Sequence, residues 1–330
     1  MVTETLYERG IGAARALVIT DGAVVAAHFE RDDDGPRTGA VQVARLTKIL
    51  EPGRRGIMRI GDHEGLIEPL PYCPEGGLLR VEVTRAAIPE VGRPRLAKLR
   101  NVEGDANVEG QISAGPDLRA RLQAAGHRLV TLSGVGEDRL EAAGWGETVE
   151  AARSGHVGFG GGLLTISPTP AMTVIDIDGP GDLVALAEAA AVATAAAIAR
   201  FDITGSIGID FPTLEGKTAR NRLGELLDTH LPQPFERTAV NGFGFVQIVR
   251  PRARASFVEA VRAPGFAALE LLRRAGRGAP GNRTLAAHPA VIAWLAAQPD
   301  LLAALGRAVG GDVRLHADPA LAISAGDVHR

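Results

Sequence analysis

Two stretches decide the fold of this sequence: Thr173-Val-Ile-Asp-Ile-Asp178 and Gly205-Ser-Ile-Gly-Ile-Asp-Phe211. Each is a short apolar run that reaches an aspartate, which is typical of a buried strand that ends at the surface. Residues 182–200 between them are rich in alanine and begin with an aspartate that can cap a helix. Because a second helix is indicated over 217–229, the order strand, helix, strand, helix predicts an α/β layer with adjacent parallel strands.

The aspartates at the ends of these strands are the candidate chemical groups. The carboxyl ends of adjacent parallel strands meet at one edge of a sheet, so Asp176, Asp178 and Asp210 are expected near one another. Convergent carboxylates repel, but a hard cation between them removes the repulsion, with Mg²⁺ expected and Mn²⁺ as an alternative. The other interpretation is that these aspartates only cap the turns or helices that follow them. On the residues alone, capping is favoured.

Basic side chains cluster at two places beyond the aspartates. Lys217, Arg220 and Asn221 share one face of the second predicted helix, which is either a cradle for a phosphodiester backbone or a solvated surface. After the strand over 243–249, three arginines at alternate positions fall on one side of an extended segment. With one lysine from the first β-rich run, the candidate RNA-binding residues are Lys48, Lys217, Arg220, Asn221, Arg250, Arg252 and Arg254.

The N-terminal third is rich in short β-type runs. Asp21-Gly22 between two apolar runs predicts a hairpin over 15–30. Five further runs predict a small β-barrel such as an oligonucleotide-binding fold, over 40–49, 56–60, 64–69, 78–84 and 95–99. Such barrels stack bases on aromatic rings, but the only aromatic ring here besides His63 is Tyr72, so composition adds little support for RNA binding by the barrel.

Composition excludes several classes of protein. The length of 330 residues suits about two domains, and a formal net charge of −3 argues against coating nucleic acid by bulk charge. The single cysteine, Cys73, excludes an intramolecular disulfide framework and any zinc site with two thiolates. Residues 1–9 hold acids and no continuous apolar run, and the alanine-rich stretch 183–199 is interrupted by Glu188. We therefore expect no secretory signal, no membrane span and a cytoplasmic location.

These residues resemble the ribonuclease E/G family. The two aspartate-ending strands and the alanine-rich helix between them look like that family's catalytic core in order and spacing. The stretch Asn241-Gly-Phe-Gly-Phe-Val-Gln-Ile-Val-Arg250 is similar to the strand that follows the core. The barrel over 40–99 resembles the family's S1 domain, inserted after an N-terminal hairpin, and 266–330 resembles its small C-terminal domain.

The resemblance implies a chemistry and also marks where this sequence departs from it. It implies that Asp176 and Asp210 hold Mg²⁺, which activates water for attack on an RNA phosphodiester. The family has asparagine at the position of Asp178, and a carboxylate donates no hydrogen bond unless it is protonated, so this residue either alters water positioning or enlarges the metal site. The arginine of the family's 5′-monophosphate pocket is missing before Ser133-Gly-Val-Gly136, so 5′-phosphate sensing is not expected. The paired cysteines of a zinc link are absent, so any homodimer forms without structural zinc.

The expected fold is mixed α/β, with an S1-type barrel near the N-terminus, an α/β catalytic core and a small C-terminal α/β domain. The expected segments are a hairpin of the large domain over 1–38, the barrel over 39–100, a shortened αβα connector over 101–157, the core over 158–258 and the small domain over 259–330. The connector is expected to hold helices over 116–126 and 137–152 around a strand over 128–132. The last domain is expected to hold helices over 266–275, 288–297 and 299–309 and a strand near 312–315.

Three functions compete. The leading hypothesis is an Mg²⁺-dependent endoribonuclease, a hydrolase that cuts single-stranded RNA in processing or decay. The alternative is a catalytically weak or inactive RNA-binding relative of the same family. A third hypothesis, a metal-dependent phosphoesterase for a smaller nucleotide, uses the same acidic crevice and predicts no dependence on substrate length.

Overall fold

The computed structural model describes residues 2–89 and 95–330. The chain divides into two compact units. The core unit comprises Met1–Arg31, His127–Arg250 and Ser256–Arg330, and the barrel unit comprises Asp32–Gly126 and Pro251–Ala255. Residues 90–94, which fall in the expected barrel segment, lie outside the described residues. The finer division into five segments stays a prediction.

The described residues form strands and helices that alternate along much of the chain. The strands are β1 (Thr3–Arg9), β2 (Ala13–Thr20), β3 (Ala23–Arg31), β4 (Val41–Glu51), β5 (Arg55–Ile60), β6 (His63–Ile67), β7 (Leu78–Arg85), β8 (Ala97–Asn101), β9 (Gly110–Ser113), β10 (Leu129–Leu132), β11 (His156–Phe159), β12 (Gly162–Pro168), β13 (Thr173–Asp178), β14 (Gly205–Asp210), β15 (Glu236–Arg237), β16 (Phe245–Arg250), β17 (Arg283–Ala287), β18 (Val313–Ala317) and β19 (Gly326–His329). The helices are α1 (Leu118–Ala124), α2 (Arg139–Ala142), α3 (Trp145–Ser154), α4 (Leu183–Arg200), α5 (Lys217–His230), α6 (Phe257–Ala260), α7 (Pro264–Arg277), α8 (Pro289–Ala296) and α9 (Pro299–Val309).

The six-stranded sheet of the core unit carries the candidate site. Its strand order is β11-β12-β13-β14-β16-β15, and β13 and β14 are adjacent and parallel, as the sequence predicted. The other pairings are antiparallel, so the sheet is mixed. Residues alternate along each strand because the side-chain period of a strand is two. Ile175, Ile207 and Ile209 are therefore buried on one face, while the aspartates lie on the opposite, open face.

Helices α4 and α5 belong to the hydrophobic core on the buried face of this sheet. Helix α4 also contacts β3, and its alanines allow this close approach because they occupy little space. The Asp182 side chain accepts a hydrogen bond from Ala185 N at 2.8 Å, which confirms the predicted N-cap. By length and composition, α4 is the one described helix that is apolar enough to cross a membrane, and the sharply bent pair α8 and α9 passes only if counted as one span. Eight residues of α4 are buried within the protein, as in the core helix of a globular fold.

A second sheet of the core unit has the order β10-β1-β2-β3. The hairpin predicted at Asp21-Gly22 is confirmed: both residues have positive φ, +48° and +82°, the left-handed conformation that tight hairpin turns require. The sequence analysis missed β1, which pairs in parallel with β10 and antiparallel with β2. A third sheet, β18-β17-β19, packs with the three helices expected near the C-terminus.

Glycines explain two differences between the expected and observed elements. The helix expected over 137–152 is two helices, because Gly144 has φ +95° and ends the first one. The glycine-rich stretch 158–167, which as a sequence suggests one strand, is part of a hairpin of β11 and β12 that turns at Gly161, with φ +102°. Residues 237–240, which as a sequence also suggest a strand, contribute only Arg237 to the two-residue strand β15.

The barrel unit contains a closed barrel made of the five predicted strands. Their order is β5-β6-β8-β7-β4, and β5 also pairs with β4, which closes the circle. Alternate residues such as Leu46, Met58 and Val81 fill the interior. The topology is that of an OB-like barrel. An additional strand that the sequence did not predict, β9, pairs with the start of β4.

Candidate functional site

Two aspartates lie directly opposite each other on the open face of the six-stranded sheet. Asp176 of β13 and Asp210 of β14 are register partners in the parallel pair. Neighbouring strands in a sheet are about 4.8 Å apart, and directly paired residues project to the same face. Both side chains are exposed. The sheet thus presents two carboxylates side by side to solvent.

The same row of the sheet holds further polar and aromatic residues. Thr165 is the partner of Asp176 on β12, and His156 is the partner of Thr165 on β11. On the other side, Phe245 of β16 is the partner of Asp210. Sequence reasoning missed these three residues because they become neighbours only through strand register. The alternation of exposed and buried residues could have placed them on the open face, but it could not have aligned them in one row.

Asp178 lies on the same face, two residues beyond Asp176, and its register partner is Leu163. Among the described residues, no three His, Cys, Asp or Glu side chains come together as a metal-binding group. The structure therefore brings Asp176 and Asp210 together and leaves Asp178 one pleat away. The pair fits Mg²⁺ in its chemistry, since this ion takes hard oxygen ligands and is often held by one or two carboxylates, with water and substrate phosphate completing the shell.

The capping interpretation finds no support at the two helices that follow these strands. Helix α4 is capped by Asp182, and α5 begins at Gly216 without a side-chain cap. Among the described residues, neither carboxylate of the pair forms an ion pair or accepts a hydrogen bond from a turn. Asp176 and Asp210 are thus left free for another role.

The predicted basic face of α5 is only partly available. Arg220 donates a hydrogen bond from Nη1 to the carbonyl oxygen of Leu214 at 3.0 Å, so it holds the loop between β14 and α5. Lys217 and Asn221 are exposed. The first turn of α5 contains no acidic residue. Its free N–H groups and Lys217 together favour an anion near the start of the helix.

The expected row of three arginines is wrong. Strand β16 ends at Arg250, whose Nη1 donates to Ile203 O at 2.7 Å. The chain then bends at residues 253 and 254 and joins the barrel unit, where Ala253 O accepts hydrogen bonds from Thr38 Oγ1 and Ala86 N. Arg252 and Arg254 are half-buried in this segment. Since the segment is not extended, the alternation expected from the sequence does not hold.

On the barrel unit, several of the basic side chains that the structure describes are paired with acids. Glu109 receives hydrogen bonds from both Arg45 and Arg59, and the bond from Arg59 is the main reason that the pKa of Glu109 is lowered. Lys98 pairs with Glu68 at 3.1 Å. Lys48 differs, since it is exposed on β4 and makes no ion pair within the described part of the chain. It is the candidate RNA contact of the barrel that keeps its charge unpaired.

Comparison with known proteins adds no relative. No protein-family model matches this chain. No curated protein matches it either.

Proposed function

We propose that this protein is a metal-dependent endoribonuclease that hydrolyses single-stranded RNA, with Mg²⁺, or Mn²⁺ in its place, held by Asp176 and Asp210. One observation carries the proposal: the two carboxylates are direct partners across adjacent parallel strands and face solvent, and no basic side chain of the described residues pairs with them. Like charges directly opposite each other destabilise a sheet, by roughly 0.2–1 kcal/mol for a pair. A divalent cation between them reverses this repulsion.

The surroundings of the pair suit a phosphodiester. When bound, Mg²⁺ would lower the pKa of a coordinated water and polarise the phosphoryl group. Lys217 and the uncapped start of α5, which follow β14 along the chain, favour the anionic backbone. Asp178, on the next pleat, can accept hydrogen bonds but not donate them while ionised, so it can orient a water through the protons of that water.

The choice of RNA as substrate rests on the family resemblance rather than on the geometry of the pair. The strands and the helix between them resemble the ribonuclease E/G core, and the OB-like barrel suits a single strand. We further propose that the barrel is an S1-type domain. The C-terminal region around the sheet β18-β17-β19 would correspond to the family's small domain. A cytoplasmic location and a zinc-free homodimer remain predictions from the sequence.

A second function is favoured by two observations. Asp178 replaces the family's asparagine, and several of the barrel's basic side chains are already paired with acids. These features suit an RNA-binding relative that cleaves slowly or not at all. It would use the same open face without turnover.

The test is cleavage of an internally labelled single-stranded RNA, in Mg²⁺ or in EDTA. We expect Mg²⁺-dependent cutting by the wild type and at least about 100-fold slower cutting by Asp176→Asn and Asp210→Asn, since metal-ion catalysis contributes several kcal/mol. Asp300→Asn, an exposed aspartate on α9, is the matched control and should cut normally. Cutting at the wild-type rate by Asp210→Asn would refute the site, and binding without cutting by the wild type would favour the second function.

A further inference from the structure

A large aromatic side chain stands in solvent beside the aspartate pair. Phe243 is 82% exposed, on the turn that leads into β16. The first residue of that strand, Phe245, is the register partner of Asp210. An exposed phenylalanine has no packing role to explain it. Its exposure instead suits contact with a ligand.

The turn that carries Phe243 is held in one conformation. Asn241 Oδ1 accepts hydrogen bonds from Phe243 N at 2.9 Å and from Phe245 N at 3.1 Å. Asn241 N donates to Phe245 O, and Gly244 N donates to Asn241 O. The aromatic ring is thus carried by a backbone that is already ordered. A ligand that contacts it would not have to order the turn on binding, which removes part of the usual entropic cost.

Gly244 fixes the turn against the strand that carries Asp210. It has φ +92°, and a Cβ at this position would lie 2.2 Å from Phe211 O, so no side chain fits. Phe211 N donates to Gly244 O at 3.2 Å, and Thr213 Oγ1 donates to Phe243 O at 3.2 Å. The turn is therefore bonded to the residues that directly follow Asp210, and its position relative to the carboxylate is set by backbone contacts.

A second aromatic ring extends the surface toward the aspartates. The Phe245 ring covers Gly208 on the open face, where an added Cβ would lie 2.7 Å from the ring and 3.0 Å from Met172 Sδ. Gly208 precedes Asp210 by two residues, on the same face of β14. The open face thus carries apolar ring surface immediately beside its carboxylates.

We propose that Phe243 is the stacking platform for one unpaired nucleobase of the RNA, next to the phosphodiester that lies at Asp176 and Asp210. This inference rests on the proposed function for its substrate. A flat ring that is largely exposed suits a base, because every base has a π-face and stacking is tolerant of sequence. A protein partner would need a contiguous apolar patch. Asn241 and Thr213, whose side chains hydrogen-bond to the backbone of Phe243, are instead polar.

The test is binding of a 5′-fluorescein-labelled, unstructured 12-nucleotide RNA, measured by anisotropy in the Asp210→Asn background, where the RNA should stay intact. Adding Phe243→Ala should weaken binding on the order of 10-fold, as loss of one stacked base does, and Phe243→Trp should restore it. Val135→Ala truncates another well-exposed apolar side chain of the core unit and should change nothing. Because Phe243 is exposed, the melting temperatures of the variants should agree.

A scan with abasic nucleotides isolates stacking from other effects. One abasic position should weaken binding when Phe243 is present and have no effect after Phe243→Ala, since two changes that remove one interaction are not additive. Unchanged affinity of Phe243→Ala, or full additivity at every position, would overturn the inference. These binding results do not depend on cleavage. If the wild type does not cut RNA but shows the base-dependent coupling, stacking on Phe243 is supported and the endoribonuclease proposal is refuted. If the wild type cuts RNA but shows no coupling, the endoribonuclease proposal stands and stacking on Phe243 is refuted.

Discussion

The acidic side chains of the core unit lie in two contrasting environments. Around α7, acids that are largely buried are surrounded by arginines: Glu270 accepts hydrogen bonds from Arg15 at 2.5 Å, from Arg273 at 3.1 Å and from Trp145 Nε1 at 3.0 Å. Arg273 also pairs with Asp138. On the open face of the six-stranded sheet, Asp176 and Asp210 stand side by side with no basic partner among the described residues.

This contrast separates the acids that stabilise the fold from those that are available to bind a ligand. Burying a charge without a partner is costly, so the acids around α7 are paired with arginines. An exposed pair of like charges is tolerated because water screens it, but it gains nothing for the fold. Asp176 and Asp210 are in register and make no capping contacts, so the fold does not depend on their charges. A cation from solution can therefore add a stabilising interaction between them.

The buried network itself contains two acids with opposite tendencies. Burial alone would raise the pKa of Glu270, but the charges of Arg15 and Arg273 and the hydrogen bonds that it accepts outweigh burial and lower the pKa. For Glu8 burial dominates and raises the pKa, although Arg277 pairs with one of its carboxylate oxygens. The other oxygen of Glu8 is buried without a hydrogen-bond partner in the described part of the chain.

The largest effect should come from breaking the buried network. Arg273→Met removes one arginine partner from each of two largely buried acids, while Glu270 keeps Arg15 and Asp138 keeps Arg277. It should lower the free energy of unfolding by about 3 kcal/mol, the lower end for a broken buried ion pair, because part of the compensation remains. Arg222→Met is the matched control, since its pair with Glu225 is exposed and should contribute at most about 1 kcal/mol. Urea denaturation of both variants measures the difference. A loss for Arg273→Met no greater than that for Arg222→Met would contradict the structural role.

The pH dependence of stability should separate the two buried acids. The folded pKa of Glu270 is depressed, so its contribution is present above the ordinary value of 4.5 and is lost as the pH falls through the folded pKa. Glu270→Gln should therefore be less stable than wild type near pH 7, by about 1.5–3 kcal/mol, and the gap should close in acid. Denaturation curves from pH 3 to 7 test this. A gap that stays constant would show that charge is not its cause.

Glu8 should show the opposite trend. Its folded pKa is raised, so its stabilising contribution is present below the ordinary value of 4.5 and is lost as the pH rises through the folded pKa. Glu8→Gln has no such loss, so its stability relative to wild type should improve as the pH rises from 4. The same denaturation series measures it. If the relative stability fell with rising pH, the pairing with Arg277 would outweigh burial.

Removing one charge from the open face should change the free energy of unfolding by less than the substitutions in the buried network, and it should raise it. In EDTA, Asp176→Asn should raise the free energy of unfolding by roughly 0.2–1 kcal/mol, because it removes the repulsion from Asp210. Asp300→Asn lies in the first turn of α9 and should instead lower stability slightly, by about 0.3–1 kcal/mol, as an interaction with the helix dipole is lost. Destabilisation by Asp176→Asn would mean that the carboxylate supports the fold.

The smallest effect concerns the barrel unit, where paired and unpaired lysines can be compared. Lys48→Ala should reduce the slope of log RNA affinity against log salt concentration by about one, if this unpaired charge contacts a phosphate. Lys98→Ala removes a lysine already paired with Glu68 and should leave the slope almost unchanged. Equal slopes for the two variants would place the RNA elsewhere.

Local patterns in the sequence predicted much of this fold. Short β-type runs separated by turn residues predicted the five barrel strands, and helix propensity with an N-cap predicted α4 and its Asp182 cap. The strand, helix, strand order predicted the parallel pair β13 and β14. The expectation for residues 250–254 failed because the chain bends at residues 253 and 254, where Ala253 is hydrogen-bonded to Thr38, a residue of the same unit that is distant in sequence.

What the sequence could not supply is register and long-range pairing. That Asp176 faces Asp210 directly, rather than a position one pleat away, depends on how two distant strands align. The contact of Arg273 with Asp138 joins residues that are far apart in the chain, and no periodicity signals it. Phe243 was part of the stretch similar to a family strand, yet its exposure beside Asp210 follows only from the turn geometry.

The central claim is that Asp176 and Asp210 together hold one divalent cation. The most direct measurement is Mn²⁺ binding followed by electron paramagnetic resonance, with the wild type, Asp176→Asn, Asp210→Asn and Asp300→Asn side by side. We predict that the wild type and Asp300→Asn bind Mn²⁺ equally, and that either substitution in the pair weakens binding at least about tenfold, since each removes a charged oxygen ligand. Equal Mn²⁺ binding by all four proteins would contradict the account.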